Sequence, residues 1–154
     1  MDVKYINPFI ESTYHVLDTM AKIKAEGGSP YIKKDRIARG VVSAVIDLTG
    51  DVSGTLSISF EETCILNIVS SLFNAEVEMN DEIKDTVGEL CNIITGQARQ
   101  KLFELGLNIK AGIPELIMGE KHSIKHSSDD RVIGIPFSCA NSSFTIEVCF
   151  DELS

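Results

Sequence analysis

Positive charge is scarce in this chain: 14 Lys and Arg stand against 23 Asp and Glu, a formal net charge of -9 with a pI near 4.7. Nucleic-acid binding rests on clustered Lys and Arg that displace counterions from phosphates, so DNA and RNA are not expected partners. The local exception is Lys33, Lys34, Arg36 and Arg39, which alternate with Ile32, Ile37 and Val41 and read as the solvated polar side of an edge strand. CxxC pairs are also missing. Cys64, Cys91, Cys139 and Cys149 each sit among apolar or small residues and read as free, buried thiols. There is no P-loop, dinucleotide fingerprint or Ser-His-Asp grouping, and the glycines at 27 and 28 lack a phosphate-loop context. His122 and His126 are four apart, a metal spacing on a helix, but Ser123, Ser127, Ser128 and the flanking lysines point to a loop or short strand, so no metal or intrinsic cofactor is expected. His15 reads as an ordinary, partly exposed histidine. No basic stretch followed by an apolar run opens the sequence, and the uncharged stretch from Thr63 to Ala75 is too short to cross a bilayer. A cytoplasmic protein with reduced thiols and no membrane association is the expectation.

What is present is enough for a core. With 154 residues, 44% hydrophobic and 24% charged, residues 1–154 can form one domain without disulfides or a structural metal. Asn7-Pro8 reads as a helix opening, followed by an apolar stripe of Phe9, Ile10, Thr13, Tyr14, Leu17 and Ala21 that ends at the loop Glu26-Gly27-Gly28-Ser29-Pro30. Strands are expected over Ile32 to Arg39 and Val41 to Leu48. Turn residues Thr49-Gly50-Asp51 then lead into Val52 to Phe60, where Leu56, Ile58 and Phe60 alternate with Thr55, Ser57 and Ser59, as in a strand that covers a core on one side only. Glu61 and Glu62 suit the start of a largely buried helix closed by Asn74. A second helix, Asp81 to Leu105, is closed by Gly106. Ile109 to Met118, Arg131 to Cys139 and Phe144 to Phe150 read as strands, with Gly119 to Asp130 a polar loop. Strands in two blocks around a helix pair indicate an α+β fold with a mixed or antiparallel sheet, in the order αβββααβββ.

The Asp81 to Leu105 helix carries the chemistry. At 100° per residue, Ile83, Val87, Leu90, Cys91, Ile94, Ala98, Leu102 and Leu105 form one apolar face. Opposite lie Asp85, Glu89, Asn92, Gly96, Arg99 and Phe103, with Glu89 and Asn92 one turn apart toward solvent. Asn and Gly each cost a helix interior, by roughly 0.7 and about 1 kcal/mol relative to Ala, so a purely structural solvent face has no need of them. Taken with Phe103, they describe a docking strip. An exposed Glu and Asn three apart are nonetheless common on helices, and spacing alone does not establish function.

The string Gly88-Glu89-Leu90-Cys91-Asn92-Ile93-Ile94-Thr95-Gly96 resembles the G-E-[LI]-x-N-x-x-x-G helix of the CheC/CheX/FliY chemotaxis phosphatases, and Leu48 to Ser57 is similar to that family's first hairpin. The element order is similar through nearly the whole chain, nearest to the CheX-like branch. The resemblance implies a phosphatase for the phospho-aspartate of a CheY-like receiver that docks on Asp85, Glu89, Asn92, Gly96, Arg99 and Phe103. It implies Asn92 as the group that orients the attacking water, Glu89 as the anchor on a receiver lysine, and Mg²⁺ held by the receiver. A homodimer through the sheet is implied as well. Where two-site members repeat E-x-x-N on the first helix, this chain has Glu11-Ser12-Thr13-Tyr14, so a second site is not expected. Cys91 stands where members often have Gly. Two other readings compete: a non-catalytic receiver-binding or flagellar-switch adaptor using the same strip, and a thiol sensor at Cys91, which lacks a nearby basic residue to activate it.

Overall fold

The computed structural model describes residues 3–128, 131–139 and 141–151. Its elements are α1 (Val3–Ala21), β1 (Glu26–Gly27), β2 (Tyr31–Lys33), β3 (Val42–Gly50), β4 (Gly54–Phe60), α2 (Glu62–Phe73), α3 (Asp81–Glu104), β5 (Ile109–Ala111), β6 (Glu115–Met118), β7 (Val132–Cys139) and β8 (Ser142–Phe150). The strands make one sheet in the order β1-β7-β8-β4-β3-β5, with β2 also on β7 and β6 also on β3. Every pairing is antiparallel, as the α+β reading expected.

The three helices cover one face of this sheet. Ala44, Ile46, Leu56, Ile58, Phe60, Phe144, Ile146 and Val148 alternate toward them and join Phe9, Leu17, Ile65, Ile68, Val87, Leu90 and Ile94 in the main core. The alternation in β4 identified the apolar face correctly but not the exposure. All seven residues of β4 are buried, because segments 34–40 and 119–128 cross behind the sheet and cover its polar side. A small second core of Ala38, Val45 and Ile124 seals that cover.

Three expected boundaries move. α1 begins at Val3 and runs through Pro8, because buried Ile6 extends the apolar stripe one turn upstream of Phe9 and Ile10. Proline there forfeits only one bond near the helix start. The expected strand from Ile32 to Arg39 stops at Lys33. Asp35 accepts the Ile37 amide at 3.0 Å and holds both terminal nitrogens of Arg39, a side-chain-closed turn that leads the chain off the sheet. Ile109 to Met118 divides in two: Ala111 opposes Leu48 and Glu115 opposes Val45, so Gly112-Ile113-Pro114 face only two residues of β3 and bulge outward.

The close of α3 at Gly106 is the one its sequence expected. Asn80 accepts the Ile83 amide at its N-terminus. At its C-terminus Gly106 takes φ +92 while the Gly106 and Leu107 amides bond the Phe103 and Leu102 carbonyls, the paired closure that favours glycine. Leu105, expected on the packed face, is instead the exposed cap residue beyond the last turn.

Candidate functional site

α3 packs along α1, touches α2, and rests on β3, β5 and β6. Ile83, Val87, Leu90, Cys91, Ile94, Ala98 and Leu102 are buried, so the opposite side of the helix faces solvent. On that side Asp85, Glu89, Asn92, Gly96 and Phe103 are all exposed. Glu89 and Asn92 stand one turn apart, and neither side chain has a hydrogen-bond or ion-pair partner among the described residues. A carboxylate and a carboxamide held on a rigid helix, with all their bonding capacity unspent, are available to a partner.

The two motif glycines differ. A Cβ on Gly88 would lie 3.1 Å from Leu116 of β6, so this glycine lets α3 approach the sheet. A Cβ on Gly96 would meet nothing within 4 Å. The fold therefore has no use for the missing side chain at 96, which leaves backbone open beside Asn92. Arg99 is the one member of the expected strip drawn aside: half-buried, its Nε donates to the Ile109 carbonyl at 2.7 Å and ties α3 to β5.

Burial pushes the Cys91 thiol up to about 12, which removes the basis for a thiol sensor there. On α1, Tyr14 accepts the Gly27 amide on its hydroxyl at 2.8 Å and packs edge-on against Phe137. It locks the β1 turn onto the helix, a structural duty that accounts for tyrosine at that position.

Sequence reasoning missed a second polar cluster, on the far side of the sheet. Lys33, read as solvated, is 2% exposed, and its ammonium lies 3.2 Å from the fully buried Glu147. His126 bonds the same carboxylate oxygen through Nε2 at 2.9 Å and the Thr55 hydroxyl through Nδ1 at 2.6 Å. His122 bonds the Gly119 carbonyl through Nδ1 and the Ser43 hydroxyl through Nε2. Both rings thus have both nitrogens occupied. Thr55 and Ser43 sit on the strand face away from α3, so this cluster shares no surface with Glu89 and Asn92. The signal for it in the sequence was Glu147, the one charged residue of β8, set among Ile146, Val148 and Cys149.

With that geometry in place, relatives decide the family. A family model for the chemotaxis phosphatase CheX matches residues 42–138. The chain belongs to the CheX family of chemotaxis phosphatases. It is 30% identical over 141 residues to the CheY-P phosphatase CheX of Thermotoga maritima, covering 90% of this chain and 89% of that one. A crystal structure of a CheC-like superfamily protein from Shewanella sp. PV-4 superposes with a TM-score of 0.92 at 40% identity, covering 99% of this chain and 100% of the other. The CheX of a CheX–CheY–BeF3–Mg²⁺ complex from Borrelia burgdorferi is similar at TM-score 0.77 and 28% identity, covering 96% and 98%. This membership agrees with the motif on α3, which lies inside the matched segment. Among the described residues no helix is long and apolar enough to cross a membrane.

Proposed function

We propose that this CheX-family chain dephosphorylates the phospho-aspartate of a CheY-like receiver, with Asn92 orienting the attacking water and Glu89 anchoring the receiver. The observation that carries the reading is the exposed Glu89–Asn92 pair with no partner in its own fold, beside a glycine that faces open space. An acyl phosphate already has a good leaving group, and in this reading the receiver brings the Mg²⁺, so what remains to supply is a water in line with phosphorus. A carboxamide does this by offering a donor and an acceptor without adding negative charge beside the phosphoryl group. A carboxylate one turn away pairs with a receiver lysine and fixes where the amide sits. Asp85, Gly96 and Phe103 extend the contact along α3, while Arg99 contributes mainly to holding the helix.

The reading places the protein in the cytoplasm, where its receiver would be. It also includes a homodimer through the sheet, supported by the outer strands, β1 and β2 at one side and β5 and β6 at the other, which end the sheet. Light scattering in solution tests that assembly.

The deciding experiment is phosphate release from a phosphorylated CheY-like receiver with Mg²⁺. The wild-type chain accelerates it. Asn92→Ala lowers kcat by on the order of 10² or more while leaving receiver binding in place. An unchanged rate in Asn92→Ala contradicts the mechanism, and tight receiver binding with no acceleration by the wild-type chain points instead to the adaptor reading.

A further inference from the structure

We propose that the groove where α2 meets α3 is a second contact for the receiver, taking a lysine or arginine side chain from it and thereby selecting which receiver is bound. The inference rests on the receiver reading above and adds a recognition element outside the Glu89–Asn92 pair.

The groove holds about 450 Å³. Its apolar side is made by Val69 and Phe73 of α2, Val77 of the connecting loop and Ile83 of α3. Phe73 is 63% exposed, an aromatic surface at the last turn of a helix that the core does not cover. Around this floor stand four carboxylates, Glu76, Glu78, Glu82 and Asp85, and the groove is lined by no Lys or Arg. None of the four carboxylates forms an ion pair among the described residues. Glu82 lies in the first turn of α3, where the helix dipole accounts for it. That account does not extend to Glu76 and Glu78, which precede the helix, or to Asp85, which lies past the first turn.

An apolar floor with an uncompensated anionic rim matches one kind of side chain. Lysine and arginine lay an aliphatic stem along apolar surface and present the charge at its edge. The Phe73 ring face adds attraction for a cation. A metal ion fits poorly, since no group of three or more His, Cys, Asp or Glu side chains among the described residues is arranged to hold one. The groove is also continuous with the proposed docking strip. Asp85 lines it and lies one turn before Glu89 on the same face of α3, so a receiver seated over Asn92 extends across the groove without a separate patch.

The test measures both steady-state turnover of phosphorylated CheY-like receivers and binding of the same receivers activated with beryllofluoride and Mg²⁺. Two variants change only exposed positions: Glu76→Lys with Glu78→Lys, and Phe73→Ser. Each is expected to raise KM and Kd about tenfold, roughly 1.4 kcal/mol, with kcat held within about twofold. The charge-reversed variant loses more at low salt than at high salt, and its preference among receivers shifts away from those with basic surfaces. Circular dichroism matching wild type shows that the variants are folded. Unchanged KM and Kd in both variants, with Asn92-dependent turnover intact, overturn the groove and leave the phosphatase reading standing. Groove-dependent binding without turnover sinks the phosphatase reading and upholds the groove. Absence of any receiver binding by the wild-type chain overturns the groove as well.

Discussion

Lys33 and Glu147 sit 3.2 Å apart with both side chains closed off from solvent, joining the short strand β2 to the centre of the sheet's far face. Two charges withdrawn from water tolerate each other only as a pair, and removing one strands the other. Lys33→Met and Glu147→Gln should each cost on the order of 3–5 kcal/mol in denaturant unfolding. Joint replacement by apolar residues of similar volume costs less than the sum. Because the pair lies behind the sheet from α3, kcat at the remaining folded fraction should not change. A loss under about 1 kcal/mol in both single variants would contradict this account.

The two glycines of the α3 motif should respond differently to alanine. At Gly88 the new methyl group meets the Leu116 side chain at 3.1 Å, which has to shift by a few tenths of an ångström, so crowding offsets the gain in helix propensity and Gly88→Ala ends less stable than Gly96→Ala. At Gly96 nothing is met within 4 Å, so alanine raises stability by up to about 1 kcal/mol through helix propensity alone. If the receiver approaches that backbone, Gly96→Ala gains stability yet raises KM. Thermal unfolding together with receiver kinetics separates the two effects, and equal KM values would argue against close approach at Gly96.

Glu89 and Asn92 should divide their effects. Glu89→Gln removes the charge that pairs with a receiver lysine and is expected to act mainly on KM, more at low salt than at high salt. Asn92→Ala acts mainly on kcat. A Glu89→Gln variant with normal KM and a kcat lowered as far as in Asn92→Ala would recast Glu89 as a participant in the chemical step.

Cys91 should be inert. With its thiol buried and pushed up to about 12, alkylation of the native protein at neutral pH proceeds only as fast as the helix opens. Phosphatase activity is expected to survive Cys91→Ser in proportion to folded protein. Rapid native-state labelling at Cys91, read by mass spectrometry, would revive the thiol-sensor reading.

Asp35 gives the turn after β2 a pH dependence. The Arg39 guanidinium and the Ile37 amide hold its carboxyl down, from 3.8 to about 2. A carboxyl depressed in the folded state contributes stability above its unfolded value, and that contribution is lost as pH falls from about 4 to about 2. Asp35 is half exposed, so solvent and salt screen much of the effect. Asp35→Asn should flatten this part of the stability profile, measured by denaturant midpoints across that range. An unaltered profile would mean that the Arg39 contact persists after unfolding or is spent on solvent.

The sequence by itself determined the parts whose cause is local. The α3 period separates Glu89 and Asn92 from Leu90, Cys91 and Ile94, since a fixed turn per residue assigns each side chain a direction. Asn74 and Gly106 mark helix ends because each accepts a left-handed backbone, and the β3–β4 hairpin follows from alternation around a turn. The family resemblance supplied roles for the pair that spacing alone could not. Only the tertiary structure decided what covers what. Lys33 is buried because segments 34–40 and 119–128 close over a polar face, and Thr55 meets His126 across 71 positions of chain. Arg99 turns toward β5 because a strand end offers it a carbonyl. The groove beside Phe73 exists because the fold brings side chains of α2, the connecting loop and α3 around one space. Periodicity tells which face of an element is apolar; the identity of its neighbour depends on chain closure over long separations, which no local pattern records.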